Sequence, residues 1–360
     1  MLDALAGGEA AAVRLVRAPG RVNLIGDHTD YNAGWCLPMA IDRDCWVAVR
    51  TVDADRVRAR SLDVEGTVEF RVGSGPVSEV EPPWGRFVAG AAQVETRPGT
   101  GLDAVVASTV PVGSGLASSA ALCVALVLAF GADRRDPRRV AEEARAAEVL
   151  ATGVPVGLMD QLVSVLGQAG AALLLDCGDL RATAVPLPPT LAVGVVHSGL
   201  PRTLAASAYA DRRAACHAVA RRLGRATLRD ATFEEVRDDP IARHVVTENR
   251  RVLAAAQALR DADARMLGAL LVESHASLRD DFVVSTPELD VLVELLVDEG
   301  AFGARLTGAG FGGCVVALTR PEDRAGVLRR ASARYRDRTG LVPAPFAVEP
   351  VDGAGPLPLS

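Results

Sequence analysis

Short segments rich in β-branched residues alternate along this chain with longer segments rich in alanine, leucine and arginine. The stretches CWVAVRTV and VEFRV are typical of strands, because β-branched residues favour a pleated backbone. The stretch LASSAALCVALVLAF is apolar on every side, which predicts a buried helix. We therefore expect an α+β protein in which helices pack on sheets.

Composition narrows the functional classes that such a fold can serve. The 360 residues carry a formal net charge of −6, and no basic face can be identified, which argues against a nucleic-acid partner. All 39 basic residues are arginines, so a P-loop lysine, a protein-kinase lysine and a Schiff-base lysine are excluded. The longest apolar runs are too short to cross a bilayer, so we expect no membrane partner.

The cysteines and the N-terminus indicate the compartment. The six cysteines are scattered through mostly apolar runs without a CxxC pair, which predicts buried, reduced thiols rather than disulfides or a zinc site. The N-terminus has no basic start followed by a long apolar core, so no secretory signal is expected. We predict a cytoplasmic protein and expect it to act as a monomer.

A proline-rich joint, VPLPPT, lies near residues 185–190 between the strand-like segments AALLLDC and LAVGVVHSG. We place a domain boundary at this joint. It divides the chain into an N-terminal lobe, residues 1–185, and a C-terminal lobe, residues 186–360.

The segment PVGSGLASSAA, from Pro111 to Ala121, places a glycine-serine turn between a strand and an apolar helix. Glycines let the backbone approach a ligand, and a helix start offers unpaired N–H groups and the positive end of its dipole. Such a turn is suited to an anion, usually a phosphate. A plain strand-to-helix turn with serine caps would give the same pattern, and the missing lysine rules out a Walker A loop.

Two carboxylates follow this turn. The helical segment DPRRVAEEARAAEVLATG has an N-cap residue at Asp136 and a C-terminal stop at Gly153. Glu148 lies against the apolar stripe of this helix. It is either a magnesium ligand or a residue at the edge of the stripe that reaches solvent. Asp160 follows a Gly/Pro turn and begins the next helical segment. It is either a catalytic carboxylate or the N-cap residue of that helix.

The stretch APGRVNLIGDHTDYNAGWCLPMA, from Ala18 to Ala40, gathers hydrogen-bonding groups of mixed kind. A sugar needs such a ring of groups for its hydroxyls, although exposed acids in a turn would look alike. A second glycine cluster, LTGAGFGGCVVAL, has two interpretations. Its glycines let the backbone approach a ligand closely, or they form a hairpin in which small residues are needed for packing. The polar residues of the first stretch are Arg21, Asp27, His28, Asp30 and Tyr31.

Together and in this order, these segments resemble the GHMP kinases, which include galactokinases, homoserine kinases, mevalonate kinases and phosphomevalonate kinases. Within that family the chain is similar to the galactokinases, because GRVNLIGDHTDYNAGWCLPMAI matches a signature that the other branches lack. PVGSGLASSAA and LTGAGFGGC match the other two family motifs. The blocks GVPVGLMDQ, ARHVVTENRRV and HASLRDDFVVSTPELD extend the resemblance over about residues 14 to 350.

The resemblance implies a two-lobed fold with the active site in the cleft between lobes, and ATP-dependent phosphorylation of the anomeric hydroxyl of galactose. Asp160 matches the carboxylate that accepts the hydroxyl proton, and Arg21 matches the arginine that stabilises charge beside it. Ser119 and Glu148 match ligands of Mg²⁺. The sugar-binding positions are matched by Asp27, His28, Asp30, Gly157 and Tyr209. The ATP-binding positions are matched by Trp84 and Phe87 near the adenine and by Gly113, Ser114, Gly115, Leu116, Ala117, Ser118 and Ser119 around the triphosphate.

The chain departs from the galactokinase pattern at a few positions. Galactokinases usually have a glutamate at the position of Asp27, and the aspartate side chain is one methylene shorter. Cys123 and Ala208 replace two other glutamates that are common in the family. Because Asp27 matches a contact to the outer sugar hydroxyl, a kinase for another related sugar is a second hypothesis. A third hypothesis is a non-catalytic sensor that binds galactose and ATP. A deletion or insertion in the phosphate loop would favour this hypothesis. Neither change is seen in this sequence.

Overall fold

The computed structural model describes residues 13–52, 55–95, 101–200 and 205–358. These residues form helices packed on three β-sheets, which confirms the expected α+β class. The strands are β1 (Val13–Asn23), β2 (Trp35–Cys36), β3 (Pro38–Val52), β4 (Arg56–Ser61), β5 (Thr67–Arg71), β6 (Gly101–Ser108), β7 (Ala171–Asp176), β8 (Arg181–Pro186), β9 (Ala192–His197), β10 (Gly303–Thr307), β11 (Cys314–Thr319), β12 (Ala344–Val348) and β13 (Gly355–Leu357).

The helices alternate with these strands along the chain. In the described part of the chain, short 3₁₀ turns at Asp30–Asn32 and Val77–Glu79 accompany them. The helices are α1 (Gly85–Glu95), α2 (Ser118–Phe130), α3 (Pro137–Thr152), α4 (Met159–Leu166), α5 (Ala205–Arg222), α6 (Phe233–Val236), α7 (Pro240–Arg260), α8 (Ala264–Asp280), α9 (Pro287–Asp298) and α10 (Arg324–Thr339).

The largest sheet has six strands in the order β13-β1-β3-β6-β4-β5. Helices α1, α2 and α3 bury their apolar side chains against it in a common core. The long antiparallel pairing of β1 with β3 is interrupted by a register shift between Pro19 and Arg21. Such an irregularity bends the strand and re-aims the next side chain, here that of Arg21.

The second sheet has four antiparallel strands in the order β10-β11-β9-β12. Side chains from α5, α7, α8, α9 and α10 form its core. A third core joins the end of β1 and the start of β3 to α7, α8 and β11, and the small sheet β2-β7-β8 lies beside it. The segment between β1 and β2 is therefore held against α7.

Most local expectations from the sequence are confirmed. CWVAVRTV lies in β3, VEFRV covers β5, and the buried helix is α2. The Asp136 side chain caps α3 by accepting the N–H of Arg139, and Gly153 ends the helix at a φ of 70°. The boundary near residue 185 stays a prediction, and the late strand β13 pairs with β1 in the first sheet.

The cysteines are free thiols, and all except the half-buried Cys177 are buried, as the sequence predicts. Within the described residues, no helix has both the length and the apolar surface needed to span a membrane.

Candidate active site

A cavity of about 490 Å³ opens where the end of β1, the starts of α2 and α4 and the turn between β10 and β11 converge. The structure thus brings the sugar-signature residues, the glycine loop and both predicted carboxylates together. The predicted site residues that line this cavity are Arg21, Asp27, His28, Asp30, Phe87, Gly113, Gly115, Ala117, Ser118, Ser119, Glu148, Gly157, Asp160 and Tyr209.

A bidentate ion pair joins Arg21 to Asp160 inside the cavity. The Nε and Nη2 atoms of Arg21 lie 2.8 and 2.6 Å from the two carboxylate oxygens of Asp160. The remaining nitrogen, Nη1, donates to the carbonyl of Gly115 at 2.5 Å. Asp160 is the second residue of α4, whose N-cap is Leu158, so the N-cap interpretation of Asp160 is wrong. The carboxylate faces the cavity and remains partly exposed.

The glycine loop turns its backbone sharply before α2. Gly113, Gly115 and the N-cap residue Ala117 adopt positive φ values of 72°, 86° and 61°. No side chain caps the start of α2, so the serine-cap interpretation is wrong and the first N–H groups of the helix are left for another partner. The side chains of Ser114 and Leu116 are fully buried and do not line the cavity. Their contribution to a ligand is limited to the backbone.

Glu148 is buried, so the interpretation that it reaches solvent is wrong. Its Oε1 accepts a hydrogen bond from the Ser119 hydroxyl at 2.5 Å, and its Oε2 accepts one from the Gln161 amide at 2.6 Å. Burial raises the pKa of Glu148 to about 7, and the negative charge of Asp160 also raises it. The hydrogen bonds from Ser119 and Gln161 lower the pKa and offset part of this rise. A cation bound beside this carboxylate would offset the cost of ionising it.

Gln161 was not predicted from the sequence. It is 1% exposed, and its amide lies in the otherwise apolar run MDQLVSVL. A buried amide needs a hydrogen-bonding partner, which is the signal that could have identified it.

Asp27 is enclosed by donors at the sugar-signature end of the cavity. Its Oδ2 lies 2.5 Å from Nη2 of the fully buried Arg305, and its Oδ1 accepts the N–H of Gly308 at 3.1 Å. Burial raises the pKa of Asp27, and Arg305 and Arg21 counteract this only in part. Arg305 was also missed by sequence analysis, although an arginine inside the strand-like GARLT needs a buried partner.

The residues beside Asp27 form a polar and aromatic wall. His28 has a positive φ of 66°, and its Nδ1 lies 2.9 Å from the Tyr31 hydroxyl. Burial lowers the pKa of His28 to about 3, so the imidazole is neutral at physiological pH. The ring of Tyr209 lies 5.7 Å from that of His28 and 5.5 Å from that of Tyr31.

Asp30 closes this wall toward Asp160. Burial raises the pKa of Asp30 to about 6, and the charges of Asp160 and Asp27 add to the effect. A Cβ atom at Gly157 would overlap the Asp30 carboxylate, so glycine is needed there for the two segments to meet.

The hairpin interpretation of the second glycine cluster is confirmed, and the close approach to a ligand stays a prediction. The cluster forms the hairpin of β10 and β11, and its turn residues Gly308 and Ala309 line the cavity. Of the two aromatic residues predicted near an adenine, Phe87 lines the cavity, whereas Trp84 packs against the core of the first sheet.

Family models match three parts of this chain. Residues 5–51 match the galactokinase galactose-binding signature, and residues 86–168 match the N-terminal domain of the GHMP kinases. Residues 255–337 match the C-terminal part of the GHMP kinases.

Individual relatives agree with these matches. A curated galactokinase from Roseiflexus sp. (strain RS-1) is 42% identical over 362 residues, which cover 95% of this chain and 92% of that protein. The solved structure of Lactococcus lactis galactokinase complexed with galactose superposes with a TM-score of 0.88 at 29% identity, over 97% of this chain and 96% of that one. Methanococcus jannaschii mevalonate kinase shares the fold, with a TM-score of 0.71 at 18% identity over 96% and 100% of the two chains. This chain belongs to the galactokinase family.

Proposed function

We propose that this chain transfers the γ-phosphoryl group of ATP to the anomeric hydroxyl of galactose, forming galactose 1-phosphate and ADP. The observation that carries the proposal is the Arg21–Asp160 pair, which lies between the glycine loop and the sugar-signature residues in one cavity. The Lactococcus lactis relative was solved with galactose, which supports the same sugar for this chain.

Asp160 is the proposed base. Its carboxylate faces the cavity, where it orients the sugar hydroxyl and accepts the proton as the oxygen attacks phosphorus. Phosphoryl transfer has a loose transition state, so positioning and charge stabilisation supply most of the catalysis. Arg21 serves both needs, because it holds both oxygens of the carboxylate and keeps a positive charge beside the glycine loop.

The loop Gly113–Ser119 is the proposed cradle for the ATP triphosphate. Its backbone turns and the uncapped start of α2 offer N–H groups and a positive dipole end to an anion. Phe87 lines the cavity and is the better supported of the two aromatic residues for adenine contact, because Trp84 does not line it.

Magnesium fits the donors that this chain supplies. Mg²⁺ prefers oxygen ligands and is usually held by one or two protein groups together with phosphates and waters. Ser119 and Glu148 present such oxygens side by side, and the raised pKa of Glu148 marks a carboxyl that a cation would help to ionise. When bound, the ion would neutralise charge on the phosphates.

Asp27, His28, Asp30, Gly157 and Tyr209 are the proposed sugar-binding residues. Aspartate carboxylates accept hydrogen bonds from sugar hydroxyls, and the neutral imidazole of His28 can take part without adding charge. Asp27 already accepts from Arg305 and Gly308, so its direction is set before the sugar arrives. The match to the galactose-binding signature and the 42% identical galactokinase do not favour the alternative of another sugar, despite the shorter Asp27.

The test is a panel of sugars with ATP and magnesium, with ADP release and the phosphorylated product measured. Galactose should give the highest kcat/KM and yield galactose 1-phosphate. A higher kcat/KM for another sugar would replace galactose as the substrate, and tight galactose binding without turnover would favour a sensor. The cytoplasmic location and the monomeric state stay predictions, which fractionation and sedimentation would test.

A further inference from the structure

Helix α7 contacts the sugar-signature segment from outside the cavity. We call residues 26–35, which follow β1 and end at the first residue of β2, the signature loop; it carries Asp27, His28 and Asp30. Three polar residues of α7, His244, Glu248 and Asn249, bond to the backbone of this loop. The spacing of four residues places His244 and Glu248 one above the other on the same face of the helix, and Asn249 follows directly after Glu248.

His244 holds the loop at Asp27. Its Nε2 lies 3.2 Å from the Asp27 carbonyl oxygen, and its Nδ1 lies 2.9 Å from the Ser277 hydroxyl. Burial lowers the pKa of His244 to about 4, so the ring is neutral at physiological pH. Because a carbonyl can only accept, the hydrogen bond to Asp27 requires a proton on Nε2, and Nδ1 of the neutral ring shares the Ser277 hydroxyl proton with Oδ2 of Asp281, which lies 3.2 Å from that hydroxyl.

Glu248 holds the loop one residue earlier. Its Oε1 accepts the N–H of Gly26 at 3.0 Å and the Ser274 hydroxyl at 2.6 Å, and its Oε2 accepts from Arg251 at 2.7 Å. Burial would raise the pKa of this carboxyl, but the charge of Arg251 and other nearby groups lower it to about 2. The fold therefore keeps a buried, ionised carboxylate whose partners include a backbone N–H of the loop.

Asn249 holds the far end of the loop. Its Oδ1 accepts the N–H of Trp35 at 2.8 Å. A Cβ atom at Gly34 would overlap this oxygen, so the loop backbone lies directly against the amide. The three anchors thus act at residues 26, 27 and 35, on both sides of the sugar-facing side chains.

We propose that His244, Glu248 and Asn249 are positioning residues for sugar binding. They fix the ends of the signature loop and so set the directions of its carboxylates and imidazole, and they lie outside the cavity lining. The inference rests on the proposed function, because it requires this cavity to bind galactose. Its effect is specific to the sugar, since the anchors end on the signature loop and not on the glycine loop of residues 113–119.

The test uses paired variants of the full chain. His244→Phe keeps a ring against Phe282, now 4.7 Å from the imidazole, but removes the donor to Asp27, whereas His244→Gln retains an N–H donor near the position of Nε2. Asn249→Leu removes a second anchor at similar volume. Thr247→Val is the matched control, because the Thr247 hydroxyl donates to carbonyls of its own helix. Glu248 is left unchanged, because loss of one member of a buried ion pair is strongly destabilising.

Calorimetry measures the Kd of galactose and the Kd of ATP for each variant, and thermal unfolding checks that it is folded. His244→Phe and Asn249→Leu should each raise the galactose Kd about tenfold while the ATP Kd stays within about twofold. His244→Gln should recover most of the affinity, and Thr247→Val should behave as wild type.

Two results would overturn the inference alone: a folded His244→Phe variant with the wild-type galactose Kd, or an equal rise in both dissociation constants. A wild-type chain that binds no galactose would overturn the proposed function, and the inference with it.

Discussion

Arg21 links the proposed catalytic base to the glycine loop. Its guanidinium donates twice to Asp160 and once to the Gly115 carbonyl of the glycine loop. Burial alone would lower the pKa of Arg21, but the charges of Asp160 and Asp27 raise it overall, so the side chain stays cationic. A charge fixed in place before the reaction needs little reorganisation as the phosphoryl group moves.

Replacement of Asp160 by asparagine tests the proposed base. The amide keeps the size of the side chain but cannot accept the hydroxyl proton, so we expect kcat to fall by about 10²–10⁴-fold. The Kd of ATP should change little, because the triphosphate is assigned to the glycine loop. Steady-state ADP release and ATP titration measure the two effects, and near-normal turnover would move the base role to another residue.

Asp30 gives the free protein a dependence on pH. Burial raises its pKa from 3.8 to about 6, so the folded state holds a proton that the unfolded chain releases. That contribution to stability is complete below pH 3.8 and is lost as the pH rises through about 6. Asp30→Asn, which resembles the protonated form, should therefore match wild type near pH 4 and be more stable above about pH 6.

Urea unfolding of the two proteins at a series of pH values, without ligands, measures this difference. A gap in unfolding free energy that does not change between about pH 4 and about pH 8 would contradict the assignment.

At the scale of elements, three helices meet at the proposed magnesium site with one residue each. Ser119 comes from the first turn of α2, Glu148 from the last turns of α3 and Gln161 from the first turn of α4. A fourth helix, α1, packs closely on α3, since a Cβ atom at Gly90 of α1 would overlap the Ala147 carbonyl of α3. The starts of α2 and α4 also direct two positive dipole ends toward the cavity.

The cap of α3 allows the stability of one helix to be changed far from the site. Asp136→Ala removes the acceptor of the Arg139 N–H and should lower the free energy of unfolding by about 1 kcal/mol. Asp323→Ala is the matched control, because Asp323 is the N-cap residue of α10 but its side chain makes no capping hydrogen bond. Denaturant unfolding compares the two, and an equal loss in both would contradict the capping assignment.

At the scale of the whole molecule, the sequence predicts helices, strands and motif residues that depend on short stretches of the chain. Apolar composition located α2, β-branched residues located β3, capping residues located α3, and ordered motifs identified many of the residues that line the cavity. Trp84 shows the limit of such a transfer, because a matched position does not reveal which way a side chain packs.

Contacts between distant segments were not predictable from the sequence. Arg305 becomes buried only because β10 lies beside the end of β1, and the partner of Gln161 lies on a different helix. The choice between interpretations of Glu148 and Asp160 depended on the same kind of information, since both residues find their partners in other elements.

The pairing of β13 with β1 has a consequence for synthesis of the protein on the ribosome. β1 precedes every other described strand and helix, and β13 follows them all. While the intervening elements emerge, the outer edge of β1 has no strand beside it, and an open edge is a template for pairing with another chain. Leu15, Val16 and Arg17 gain their partners only when Gly355–Leu357 has been translated. The nascent chain therefore exposes this edge from the emergence of β1 until β13 has been translated, and the pairing of β13 then protects it.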